Sequence, residues 1–266
     1  MRPKPPSSNL SIKRTKLTVA YDGTDFCGWA PQHGLRSVHG TLKDGLCQVT
    51  GKEVELYGAS RTDSGAHARG QVCHFDPPVP IPVDRWVGAL SRVLPRDLSI
   101  LKAEEVAPDF DSRFMARKRH YRYRILTGPR DPHRMRFAHW HWTVLDAPQM
   151  HRAAQLLVGE HDFLAFSQEL EGTENTVRTL FHLQVRQVRD EVWLDVQGTA
   201  FVRGMMRRIA GCLLEIGRGK REPDWIGNLL TATDKSSIDW PPVLPACGLT
   251  LMRVSYGRHP KDHRFE

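Results

Sequence analysis

The chain has 266 residues, with 38 Lys+Arg against 30 Asp+Glu for a formal net charge of +8, an isoelectric point near 9.4 and a mean hydropathy of −0.45. That length carries one large domain or two of ordinary size, with a core that needs no staples. With 40 % hydrophobic and 26 % charged residues it excludes wholesale disorder, and no apolar run approaches the span of a bilayer, the longest, Ile209–Leu214, being six residues.

Residues 1–13 read as a basic tail rich in Pro and Ser, with no apolar segment of the kind a signal peptide carries. Lys16–Tyr21 is predicted as a strand ending at the turn Asp22-Gly23. Ser37–Val49 is predicted helical, because Val38, Leu42, Leu46 and Val49 fall on one face. Val54–Leu56 and Gln71–Phe75 read as short strands, joined by a loop rich in Gly, Ser and Asp. A helix is expected over Val83–Leu94 and a strand over Leu98–Val106. The pattern then resumes with strands at His120–Leu126 and Phe137–Val144 and a helix capped by Asp146 running to Val158. Strands follow at Val177–Val188 and Val192–Val196, then a long basic helix at Phe201–Ile216, a short helix at Trp225–Leu230 and a last strand at Leu249–Tyr256. Alternation of strands and helices in both halves predicts two α+β lobes, divided near Phe110–Arg117. The expected organisation is a tail at 1–13, a lobe at 14–112, a lobe at 113–257 and a tail at 258–266.

The five cysteines, Cys27, Cys47, Cys73, Cys212 and Cys247, are odd in number, widely spaced and free of any CxxC pair. They read as reduced, partly buried thiols of a cytoplasmic protein, against a disulfide framework or a cysteine zinc site. The positive charge is unevenly spread. Arg113–Arg136 holds nine Lys/Arg and one acid, Asp131, and within it RKRHYRYR interleaves bases with Tyr121 and Tyr123. Arg203, Arg207, Arg208, Arg218, Lys220 and Arg221 form a second cluster, and the first sixteen residues a third. Such clusters suit a phosphate backbone with splayed or stacked bases; the alternative is a solvated basic face.

The segment Ser60-Arg61-Thr62-Asp63-Ser64-Gly65-Ala66-His67-Ala68 places an aspartate among small residues on a polar loop. Arg61 beside it is expected to keep Asp63 ionised. An ionised carboxylate serves as a base, a nucleophile or an anion facing a developing cation, although by itself an Asp in such a loop is more often a turn or cap residue.

RTDSGAHA, with YDGTDFCGW (Tyr21–Trp29) before it, resembles the motifs of the TruA family of tRNA pseudouridine synthases. The likeness continues through GQVCHF (Gly70–Phe75), F-x-A-R-x-R-x-Y-R-Y (Phe114–Tyr123), MHRAAQLLVGEHDF (Met150–Phe163), AFVRGMMRRIAG (Ala200–Gly211) and GLTLMRV (Gly248–Val254), and so spans roughly residues 14 to 257. The resemblance implies isomerisation of uridine to pseudouridine at positions 38, 39 and 40 of the tRNA anticodon stem-loop. It implies no cofactor, no metal and a homodimer whose two chains both contact tRNA. It also implies an α+β fold of two similar lobes, with antiparallel sheets flanked by helices and the active-site cleft between them. Carried over by position, Asp63 matches the catalytic aspartate, Arg61 and Thr62 its flanks, Tyr121 the aromatic that packs on the target base, and Arg207 the arginine that pairs with the aspartate. Arg117, Lys118, Arg119, Arg122, Arg203 and Arg208 are expected to face RNA. Ser60 stands where the family usually has Gly; a positive φ there would strain it by about 1 kcal/mol.

Other signals are weaker. His139 and His141, with His133 nearby, lack a further well-spaced acid or Cys for metal. Gly217-Arg218-Gly219-Lys220 fails the P-loop pattern at Leu214 and Arg221, so no nucleotide cofactor is expected. His67 reads as loop support or a phosphate contact, and at least one of Trp140 and Trp142 as core. The competing classes are an RNA-binding module without turnover, for which Asp63, Arg61, Tyr121 and Arg207 together have no use, and a DNA binder. The Phe201–Ile216 helix suits the latter poorly, because its inner face carries Met205, Ile209 and Leu213.

Overall fold

In the computed structural model, residues 13–168 and 175–257 are described; of the expected tails, 1–13 lies outside them except for Lys13, and 258–266 lies wholly outside them. The elements are β1 (Thr15–Tyr21), α1 (Val38–Thr50), β2 (Tyr57–Gly58), β3 (His67–Phe75), α2 (Trp86–Ser91), β4 (Leu98–Glu105), β5 (Lys118–Thr127), β6 (His139–His141), α3 (Ala147–Ala154), β7 (Gly159–Asp162), β8 (Val177–Val188), β9 (Glu191–Gly198), α4 (Met205–Gly217), α5 (Trp225–Thr231) and β10 (Leu249–Ser255).

The α+β class stands, with a large sheet flanked by helices. The two sheets expected of the lobes are joined into one, in the order β4-β1-β3-β10-β5-β9-β8-β7, with β2 beside β3 and β6 beside β5. The joint is β10, which runs parallel to β3 and antiparallel to β5. The last strand thus covers edges that β3 and β5 would otherwise leave unpaired. The other long ladders are antiparallel.

Local sequence explains the elements. In β1, Thr15, Leu17, Val19 and Tyr21 alternate inward. Ser37 caps α1 by accepting from Gly40 N, and Gly51 ends it in the left-handed region. Asp146 caps α3 by accepting from Gln149 N. α3 packs on β8 and α4, α4 on β5, and α2 on β4 and α1, around one continuous apolar core.

Several expected elements are shorter than predicted, among them the helix capped by Asp146, which is α-helical only to Ala154 and 3₁₀ over Gln155–Leu157. Val54 and Leu56 are buried as the alternation requires, but their segment makes no ladder; pairing with β3 begins at Tyr57. The Val83–Leu94 helix is a 3₁₀ turn followed by the six residues of α2, ending well before Pro95. Of Phe137–Val144 only His139–His141 pairs, against Ile125–Thr127. The Phe201–Ile216 helix starts at Met205, because Gly204 caps it with φ 75° and a Cβ there would lie 2.4 Å from Gln168 Oε1.

Candidate active site

Asp63 lies on a loop tied down on both sides. Trp29 N donates to Thr62 O at 3.1 Å, Gly65 N to Phe26 O at 3.2 Å, and Ala66 N to Asp63 O at 3.1 Å. The Tyr21 and Thr62 hydroxyls share a buried hydrogen bond of 2.8 Å, and Gln71 Nε2 donates to Ser60 O at 2.6 Å. Gly28 backs the loop with φ 84°, and a Cβ there would fall 2.6 Å from Thr62 O. The YDGTDFCGW segment is therefore the cradle of the aspartate loop.

Arg207, in the first turn of α4, closes the site. Its Nη1 stands 3.2 Å from Asp63 Oδ2, and its Nε donates to Leu244 O at 2.7 Å. The side chains are 22 % and 27 % exposed, so the pair adds no more than about 1 kcal/mol to stability. Its value is in position. The first turn of α4 has no acid, and Arg207 and Arg208 sit at its electropositive end; a carboxylate from the other half of the chain offsets that cost. Arg61, expected to be the cation beside Asp63, is exposed and makes no ion pair among the described residues. Thr62 is anchored inward at Tyr21, and the charge facing Asp63 is that of Arg207.

Tyr121 on β5 is 6 % exposed and meets the Phe201 ring edge-on, with centroids 4.9 Å apart. Burial pushes its phenol above the usual tyrosine range, a hydrogen bond with Ser60 and the charge of Arg119 pull it down, and Asp63 pushes it up. Phe201 was not singled out in the sequence; its only signal is its place in AFVRGMMRR.

Arg119 departs from expectation. It is 9 % exposed, and its guanidinium donates to Ser60 Oγ at 3.0 Å, Thr199 O at 2.5 Å, and Ala59 O and Arg113 O at 3.1 Å each. It is committed to the loop that carries Asp63 and does not face solvent. Ser60 has no positive φ, so the anticipated strain is absent. The other predicted RNA contacts divide. Arg122 is paired with Asp195 and lies over Trp193. Arg208 donates to Pro241 O and lies over Trp240. Lys118 is half-buried, Arg203 is exposed, and Arg117 is exposed without an ion pair among the described residues. Much of the rest of the basic stretch is neutralised, Arg124 by Glu191, Arg134 by the neighbouring Asp131 and by distant Asp190, and Arg136 by Asp22 and Asp25.

His67 is buried. Gly23 N donates to its Nδ1 at 3.0 Å, leaving Nε2 to donate to Cys247 O at 3.2 Å, and Phe137 lies against the ring. Burial pushes its pKa down, against the pull of Asp22. Of the two readings it supports the loop. Among the described residues no group of three or more His, Cys, Asp and Glu could hold a metal ion. Gly217 ends α4, so the GRGK run opens no helix. Trp140 is half-buried and donates to Gly128 O, whereas Trp142 is 66 % exposed.

Residues 17–115 and 153–257 match the family model described as tRNA pseudouridine synthase, and the chain belongs to that family. It is an isomerase that acts on tRNA. Relatives named tRNA pseudouridine synthase A include one from Brevibacillus brevis, 41 % identical over 246 residues, covering 92 % of this chain and 100 % of the relative. Another, from Maridesulfovibrio salexigens, is 39 % identical over 92 % of this chain and 91 % of its own. One from Myxococcus xanthus is 38 % identical over 92 % of each. Among solved structures, an archaeal box H/ACA Nop10–Cbf5 complex aligns at a TM-score of 0.32 and 10 % identity, over 75 % of this chain and 43 % of that chain, too weakly to bear on this fold. Among the described residues no helix is long and apolar enough to cross a membrane.

Proposed function

We propose that this synthase converts uridine to pseudouridine at positions 38, 39 and 40 of the tRNA anticodon stem-loop, with Asp63 as the catalytic carboxylate. The observation that carries the reading is the Arg207–Asp63 pair, which joins the two halves of the chain at the loop resembling the family's aspartate motif.

The chemistry suits these groups. The N1–C1′ bond breaks, the uracil turns, a C5–C1′ bond forms, the proton on C5 passes to a base, and N1 gains a proton, so that nothing is added or lost overall. Positive character builds at C1′ as N1 departs, and a carboxylate nearby stabilises it or captures it. One carboxylate suffices, because no water is added, unlike in glycoside hydrolysis. Tyr121 supplies a face for the target base beside Asp63, and the base leaves its stack at a cost of a few kcal/mol. Arg61, exposed beside Asp63, is free to fill the vacated space. Arg117, Lys118 and Arg203 are the basic residues proposed to meet the RNA backbone; Arg119, Arg122 and Arg208 act from within the protein.

The reading extends to a cytoplasmic homodimer that needs no cofactor. Mapping pseudouridine by reverse-transcription stops at its carbodiimide adducts, in an initially unmodified transcript treated with the enzyme, tests the positions: stops confined to 38–40 are expected, and stops elsewhere in the tRNA contradict the reading. Sedimentation of the free protein tests the dimer, and a monomer at all concentrations contradicts it.

A further inference from the structure

We propose that residues 240–247 form a strap that positions the Arg207–Asp63 pair, holding the guanidinium through Leu244 and the aspartate loop through Ala246 and Cys247, so that one short segment sets both partners. The proposal rests on the reading of Asp63 as the catalytic carboxylate.

Leu244 grips Arg207 twice. Its carbonyl accepts from Arg207 Nε at 2.7 Å, and its own N donates to Arg207 O at 3.3 Å. The guanidinium is planar, so an acceptor fixed on Nε also fixes where Nη1 points. Nη1 is the atom that stands 3.2 Å from Asp63 Oδ2. Without the carbonyl, a long side chain at the mouth of the site would spread over several rotamers and meet the carboxylate only part of the time.

Past Leu244 the same segment reaches the aspartate loop. Tyr123 Oη, on β5, donates to Pro245 O at 2.7 Å. Ala246 lies against Gly65, its Cβ 3.7 Å from where a Cβ on Gly65 would stand. Cys247 O accepts from His67 Nε2 at 3.2 Å. Gly65 and His67 follow Asp63 by two and four residues, so the far end of the strap bears on the loop just as its middle bears on the arginine.

The strap has no ladder to hold it. Residues 238–245 belong to no helix or strand. Pro241, Pro242 and Pro245 restrict its backbone, and α4 supplies its seat. Gly211 leaves the space, since a Cβ there would lie 1.9 Å from Pro242 O. Arg208 Nη1 donates to Pro241 O at 2.6 Å, and its guanidinium lies over the Trp240 ring. Arg208 and Gly211 follow Arg207 by one and four residues on α4, so one helix carries both the arginine and the seat of the segment that aims it.

The test uses the full chain labelled with ¹⁵N, and follows hydrogen exchange at the Arg207 Nε–H by NMR. That signal is identified by its loss in Arg207→Lys. Arg208→Ala unties the strap at Pro241, and Gly211→Ala displaces it at Pro242. Both are expected to speed exchange at Arg207 Nε about tenfold and to lower kcat on tRNA about tenfold with KM unchanged, the effect of freeing one charge-assisted hydrogen bond, while Arg208→Lys restores both. Leu90→Ala, in the buried face of α2, is the control: it is expected to lower the melting temperature and to move neither readout. If Gly211→Ala does not fold, the Arg208 pair decides alone. Unchanged exchange at Arg207 in Arg208→Ala overturns the strap's hold. Faster exchange with unchanged kcat, a raised KM at constant kcat, or an equal loss of kcat in Leu90→Ala overturns its role in the reaction. Absence of turnover by the wild type would instead strike the proposed function, and the exchange measurement would still decide the hold.

Discussion

Arg207 Nη1 lies 3.2 Å from Oδ2 of Asp63 although 144 residues separate them in the chain. The contact forms because the aspartate loop is cradled by Phe26–Trp29, and because α4 begins only at Met205. A helix starting at Phe201 would leave Arg207 a further turn from its end.

Removing the arginine is therefore expected to cost rate rather than stability. Arg207→Ala should lower kcat by about 10²-fold, as for loss of one charged group at a developing charge. Its melting temperature should fall by only a few degrees, because the pair is part-exposed. Turnover with thermal melting checks this. A collapsed melting temperature, or normal kcat, contradicts the assignment.

Two arginines in one basic run should behave oppositely. Arg119→Ala leaves three carbonyls without their buried donor and should destabilise the fold by about 2–4 kcal/mol. Arg117→Glu should leave the melt unchanged while weakening tRNA binding and flattening its salt dependence. Denaturant melts and binding at several salt concentrations decide between them.

Gly28→Ala should perturb the loop from behind. The left-handed backbone alone costs about 1–2 kcal/mol, and the new methyl meets Thr62 O at 2.6 Å. The expected result is a lower melting temperature with a larger loss of kcat than the lost stability explains. Wild-type kinetics would mean the cradle does not position Asp63.

Histidine burial gives a pH dependence with a definite sign. Burial pushes His67, His74 and His141 below their ordinary pKa, and His139 down to about 4. The unfolded chain binds more protons in that window. Stability is thus full above about pH 6.5 and falls as pH drops toward 4. Asp195, held low against its burial by His120 and Arg122, and Glu191, held low against its burial by Arg124 and Trp193, add a further loss at still lower pH. Melting temperature against pH checks this, and His139→Gln should shallow the slope between pH 6.5 and 4. A melting temperature that rises on acidification contradicts it.

The parts of the fold legible in the sequence were those written locally. β1, α1, β8 and the Asp146 cap follow from alternation, helical spacing and capping residues. The loop of Asp63 was marked by its small and polar residues, and Arg207 by resemblance alone. What was hidden depends on distant partners. The run Arg117–Arg124 reads as a basic face, yet Asp195 and Glu191 on β9 neutralise Arg122 and Arg124, and the carbonyls of Ala59, Arg113 and Thr199 draw Arg119 inside. The single sheet was hidden for the same reason. No local pattern says that β10, the last strand, slots between β3 and β5. Ser60 read as a possible source of strain, because the partner that gives its hydroxyl a use lies 59 residues away.

The central claim is that Asp63 drives the isomerisation of uridine in tRNA. The direct measurement is tritium release from tRNA labelled at uridine C5, with wild type beside Asp63→Ala and tRNA affinity measured in parallel. Release by wild type alone, with Asp63→Ala binding tRNA normally, is the expected result. Equal release by both, or loss of tRNA binding together with turnover in Asp63→Ala, would contradict it.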